Sequence, residues 1–147
     1  MNLPMTAFKI NGTNVFIKLT IDEVLEFPPD VYGGGHSVKG LLTIRAGAYC
    51  ATADHYFTTG ELSRFYAALS ECYETVSGIA ELHNTAHMLE LKIMFDKQRG
   101  HVAAVGWSNA VPHEVNQLAF EIKTDQTHIK SVLVDLKRVH DAYGDIH

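Results

Sequence analysis

Between Phe120 and Gly144 the chain changes its hydrophobic period from two to about 3.6 at a single residue, Asp125. Phe120 and Ile122 alternate with Glu121 and Lys123, the pattern of a strand with one face buried and the other in water. Beyond Asp125, Ile129, Val132, Leu133, Leu136, Val139, His140 and Tyr143 recur every three or four residues and fall on one helical face. The Asp125 carboxylate is placed to accept from the backbone N–H of Thr127 or His128, a donor that a helix start leaves without a partner. Lys137 and Arg138 lie near the negative end of the helix dipole, and Gly144 supplies a left-handed stop. The segment is therefore a strand, a tight turn and a C-terminal helix docked by one face.

The same grammar occurs earlier, in FTTGELSRFYAALSECYETVSG. Thr58 and Glu61 fit a capping box, Leu62, Phe65, Tyr66, Leu69, Cys72, Tyr73 and Val76 form an apolar stripe, and Gly78 is the expected stop. No residue-level repeat accompanies the shared spacing, which is expected of any two helices that each lay one stripe on a core.

Strand signals fill the rest. Leu89, Leu91, Ile93 and Phe95 alternate with Glu90, Lys92, Met94 and Asp96 before the turn DKQRG, and Val102 to Trp107 returns as a strand of small residues. Upstream, NVFIKLTIDEVLEF and GLLTIRAGAYCATADHYF are rich in β-branched and aromatic residues, with the loop PPDVYGGGHSVKG between them. Strands joined by short turns imply antiparallel pairing, and helices with one apolar face imply that they cover one side. The expectation is one α+β domain over residues 1–147, a mainly antiparallel twisted sheet with two amphipathic helices packed on one face. Leu91, Ile93, Phe95, Leu118, Phe120 and Ile122 are expected to meet Leu62, Phe65, Leu69, Val132, Leu133 and Leu136 in its core.

A chain of 147 residues has the size of one domain, and 46% hydrophobic with 20% charged residues is the composition of an ordinary globule rather than a disordered chain. Twelve basic against seventeen acidic residues, a net charge of -5, disfavour a nucleic-acid partner and favour a basic one. The N-terminus lacks the pattern of a secretory signal, and no apolar run reaches the ~18 residues of a membrane span, so a cytoplasmic site is expected. Cys50 and Cys72 are expected to be reduced core residues without a disulfide.

No motif for catalysis or cofactor binding emerges. In YGGGHSVKG, Val38 precedes Lys39, Gly40 follows it and a strand comes next, so the requirements of a P-loop are not met. His83 and His87 have helical ligand spacing but sit in a link between strands without a third ligand, and are expected in solvent. His140 is expected at the core boundary and Trp107 in the core. Asp54 and His55 are adjacent in a strand and point to opposite faces; the best enzymatic case makes Asp54 a buried acid. No cofactor or metal is expected.

The segments FTTGELSRFYAALSECYETVSGIAEL, LELKIMFDKQRGHVAAVGW and LAFEIKTDQTHIKSVLVDLKRV together resemble the WapI family of bacterial immunity proteins. The resemblance spans about residues 14 to 143. It rests on the phenylalanine-bearing first helix followed by Gly78, the strand start Gly100, His101 and Val102, and the turn Asp125, Gln126 and Thr127. These are structural rather than catalytic positions, and the loop from Pro28 to Gly40 has no counterpart among them. The resemblance implies a cytoplasmic, non-enzymatic protein that binds and neutralises a cognate toxin domain, often a nuclease, by covering its working surface. An interaction module for another partner, and a small enzyme or ligand-binding protein using Asp54 or His55, are the competing readings. The expected partner face is the outward side of the strands, with Glu90, Lys92, Met94, Asp96, Glu121 and Lys123; the loop from Pro29 to Gly40 is the second choice.

Overall fold

The computed structural model describes residues 3–25, 34–109 and 117–143. Four strands lead into a helix, and the pattern then repeats. The first half comprises β1 (Met5–Gly12), β2 (Val15–Val24), β3 (Ser37–Ala46), β4 (Tyr49–Thr58) and α1 (Thr59–Thr75). The second comprises β5 (Gly78–His83), β6 (Leu89–Asp96), β7 (His101–Ser108), β8 (Leu118–Thr124) and α2 (Gln126–Tyr143). Each set of strands forms its own antiparallel sheet in sequential order, β1-β2-β3-β4 and β5-β6-β7-β8. The α+β class with antiparallel strands and two helices is as expected, but the strands divide into two sheets. Alternation shows which side of a strand is apolar; it carries no information on which strands pair.

The repetition also changes the meaning of the shared helical spacing. Leu62, Phe65, Leu69 and Cys72 are the buried apolar residues of α1, and Ile129, Val132, Leu136 and Val139 are their counterparts in α2, at identical intervals. The matched spacing thus belongs to a ββββα unit used twice, not to two independently placed helices.

Both caps form as the residues demand. Thr58 Oγ1 accepts from the Glu61 N–H at 3.1 Å while Glu61 Oε1 accepts from the Thr58 N–H at 2.8 Å. Asp125 Oδ1 accepts from the His128 N–H at 3.0 Å. The first helix stops earlier than Gly78: Val76, expected on the apolar stripe, is the left-handed C-cap with φ 53°. Gly144 lies outside the described residues.

One core joins the inner faces of both sheets to both helices. Leu62, Phe65, Leu69, Leu91, Ile93, Phe95, Ile122, Val132 and Leu136 are buried in it, as expected, and Phe120 and Leu133 pack at its margin. Leu118 does not belong to it and is 37% exposed, because it lines an open hollow together with Leu42, Ile44, Ala51 and Ala53 of the first sheet. The first sheet adds Phe8, Ile10, Ile17, Leu19, Ile21, Val38, Leu42 and Ile44. The helices pack on one another, α1 also against β5 and α2 against β1, and β1 meets β8 across the sheets. Thr124 Oγ1 donates to the Asn11 carbonyl there at 2.7 Å.

Two further expectations are corrected. Cys72 is buried but Cys50 is exposed, since it follows the β3–β4 turn and shares the outward parity of Thr52 and Asp54. Ser37 to Gly40, assigned to a glycine-rich loop, open β3, with Lys39 paired to Tyr56; the part of that loop from Pro28 to Gly33 lies outside the described residues.

Candidate interaction face

Register places the outer side chains of the second sheet in three rows running from β5 to β8. Ile79, Met94, Ala103 and Lys123 form the first, Glu81, Lys92, Val105 and Glu121 the second, and His83, Glu90, Trp107 and Ala119 the third. Their neighbours of opposite parity, including Leu91, Ile93, Ala104 and Ile122, are buried in the core, so these rows face away from it. Of the six residues expected on a partner face, Glu90, Lys92, Met94, Glu121 and Lys123 come together here. Asp96 sits at the end of β6 and is occupied by its turn, where Oδ1 accepts from the Gln98 and Arg99 N–H groups at 3.1 and 3.3 Å.

Sequence reasoning found Met94 but missed the rest of the apolar part of this face. Trp107, expected in the core, lies outside it, and its Nε1–H donates to Glu90 Oε2 at 2.6 Å. Val105 stands between Lys92 and Glu121, and Ile79 is 57% exposed at the β5 margin. The parity of Trp107 could have been found by counting from Val102, which is inward and leaves 103, 105 and 107 outward. Ile79 carried no such signal, because Gly78–His83 is too short to show a period.

The charges on the face are arranged rather than scattered. Lys92 Nζ lies 3.5 Å from Glu81 Oε1 and 3.9 Å from Glu90 Oε1, and His83 Nε2 lies 3.0 Å from Glu81 Oε2. Three glutamates, Glu81, Glu90 and Glu121, thus outnumber two lysines around an apolar strip of Ile79, Met94, Val105 and Trp107. Next to the strip, a groove of about 360 Å³ runs between α1 and β5, lined by Glu61, Arg64, Ala68, Ile79, Glu81 and His83. A second hollow, of about 270 Å³, lies beside Trp107 and Glu90 at the β5–β6 link. That link is anchored to α1 and to β4: Glu61 Oε2 accepts from the Thr85 N–H at 2.6 Å, and Asn84 Nδ2 donates to the Tyr56 carbonyl at 3.0 Å.

The enzymatic alternative meets a different geometry. Asp54 is not a buried acid; it is exposed on the outer face of the first sheet, 3.8 Å from Lys39. His55 is buried on the inner face, with Nδ1 3.2 Å from the Ala53 carbonyl and Nε2 3.2 Å from the Met88 carbonyl and 3.0 Å from Ser108 Oγ. Burial lowers its pKa below the usual 6.5. This histidine ties β4 of one sheet to the second sheet, with both ring nitrogens occupied. His83 and His87 are exposed, and His140 lies at the core boundary, 3.3 Å from Ser63 Oγ and against the Tyr66 ring. Among the described residues no three His, Cys, Asp or Glu side chains converge as a metal site, and no helix is long and apolar enough to cross a membrane.

No curated protein matches the chain. The solved structure of the plant transcriptional regulator PBF-2 is similar with a TM-score of 0.57 at 9% identity, over 97% of this chain and 84% of that one. At that identity the likeness is one of fold. The model of the immunity protein WapI-like family matches residues 8–144, which include the second ββββα unit entire and the first except Met5, Thr6 and Ala7. The chain belongs to the immunity protein WapI-like family.

Proposed function

We propose that this protein is a bacterial cytoplasmic immunity protein that binds a cognate toxin domain, a basic nuclease domain by preference, and neutralises it by covering its working surface. The outer face of the second sheet is the binding surface. The observation that carries this reading is the strip of Ile79, Met94, Val105 and Trp107 left outside the core and bordered by Glu81, Glu90 and Glu121. Partner surfaces have this composition, an apolar centre with an aromatic anchor inside a polar rim. The excess of glutamate fits a basic partner, whose encounter it accelerates. Family membership supports a protein partner over a small substrate.

The test is to read the adjoining reading frames for a toxin gene, whose absence would count against this reading, and to co-express the C-terminal domain of the toxin found there. Cells carrying the wild-type protein should survive induction of that domain, and cells carrying a folded Trp107→Ala variant should survive poorly. Death in the presence of the wild-type protein would reject the immunity reading.

A further inference from the structure

The two sheets differ in the chemistry of their outer faces. On the first sheet, register gives one row of Lys9, Lys18, Thr43 and Thr52 and an adjoining row of Asn11, Phe16, Arg45 and Cys50. Lys9 and Lys18 stand directly opposite each other, an arrangement that like charges disfavour. Lys9 turns its ammonium over the Phe16 ring, 4.6 Å from the centroid. Arg45 is exposed, and none of Lys9, Lys18 and Arg45 is in a salt bridge among the described residues, although the charge of Lys18 also acts on Asp135 of α2, which is bonded to Arg138; the ion pair on this face is Lys39 with Asp54. These two rows belong to an extension. Gly40 and Gly106 are equivalent in the two units, so Leu42 corresponds to Ser108, where β7 ends, and Thr43 to Ala46 prolong β3 beyond it.

We propose that this extension binds the phosphate backbone of single-stranded nucleic acid through Lys9, Lys18 and Arg45. The side chains flanking the cations are hydroxyls and an amide, Thr43, Thr52 and Asn11, which with Lys and Arg are the donors that phosphate oxygens use. Phosphates between Lys9 and Lys18 would relieve their repulsion. Moving Lys9 to a phosphate uncovers Phe16, and an aromatic ring beside a cationic groove is what a base stacks on. Adjacent strands lie about 4.8 Å apart, so the three cations on β1, β2 and β3 cover about 10 Å, the reach of a few nucleotides of flexible strand. An acidic protein fits less well, because these rows lack the apolar centre that the second sheet's face has. The net charge of -5 disfavours nucleic acid only as an average over two unlike faces.

The site is separate from the proposed toxin face and does not rest on that reading. Its test is fluorescence anisotropy of a labelled oligothymidine with the full chain. Saturable binding is expected at 50 mM salt, and it should weaken roughly twentyfold at 200 mM, as for about three neutralised phosphates of a single strand. Lys9→Glu with Lys18→Glu should abolish binding. Arg45→Gln, at an exposed position where folding is not at stake, should weaken it about threefold or more. Glu90→Lys with Glu121→Lys, on the other sheet, should not weaken it. Absence of saturable binding at 50 mM salt would overturn the proposal, as would an Arg45→Gln variant that binds like wild type. Equal affinity for duplex DNA, or equal competition by polyglutamate, would also overturn it.

Discussion

Gly40 and Gly106 hold the same place in the third strand of each sheet, where a Cβ would collide with a carbonyl oxygen of the second strand, that of Thr20 for Gly40 and that of Glu90 for Gly106. The pair marks the ββββα repetition in residue identity as well as topology. Alanine at either position must push the second and third strands apart. Each substitution should cost about 1–3 kcal/mol or more, in contrast to the small stabilisation that Gly→Ala gives where space allows. Urea midpoints check this; an unchanged midpoint for either variant would mean that its strands do not approach so closely.

Burial separates two leucines that look alike in sequence. Leu69 is fully buried at the centre of the core, while Leu133 is only partly buried at its margin. Leu69→Ala should cost about 2–5 kcal/mol and Leu133→Ala distinctly less. Chemical denaturation of the two variants side by side gives the comparison, and equal losses would contradict the assigned α2 face.

Much of this was legible in the sequence, and the failures have physical reasons. Both helices, both N-caps and the buried parity of β6 follow from local rules, because capping and amphipathicity involve neighbours in the chain. The separation of the strands into two sheets is decided by pairing between distant segments, which alternation does not encode. Trp107 and Cys50 were assigned to the core by residue type, yet strand parity turns both outward. The charged part of the candidate face was legible, because Glu90, Lys92, Glu121 and Lys123 alternate with large apolar residues. Of its apolar part only Met94 was, since Val105 and Ile79 resemble core residues until register places them.

Glu61 links the start of α1 to the β5–β6 link beside the candidate face. Its buried carboxylate accepts from the Thr58 and Thr85 N–H groups. Glu61→Ala leaves both donors without this acceptor and should cost about 2–4 kcal/mol, more than the loss of an exposed cap. It should also loosen the link from Asn84 to Met88, seen as faster amide exchange at Thr85. Protection at Thr85 equal to wild type would show that the link is held by other contacts.

His55 predicts a pH dependence of defined sign. Burial lowers its folded pKa below the usual 6.5, so the unfolded chain takes up the proton first as pH falls. This contribution to stability is fully present above 6.5 and declines as pH drops from there through the lower folded value. His55→Gln should be less stable at pH 8 and should lose part of the slope between pH 7 and pH 5. An identical slope in that variant would assign the acid sensitivity to other groups.

The most direct test of the proposed function is the kinetics of binding to the toxin domain from the adjoining reading frame. In stopped-flow association, Glu90→Lys with Glu121→Lys should slow encounter about tenfold at low salt, with the difference shrinking as salt rises and the thermal midpoint nearly unchanged. A double variant that associates at the wild-type rate, retains wild-type affinity and still protects cells would contradict the assignment of the second sheet's outer face.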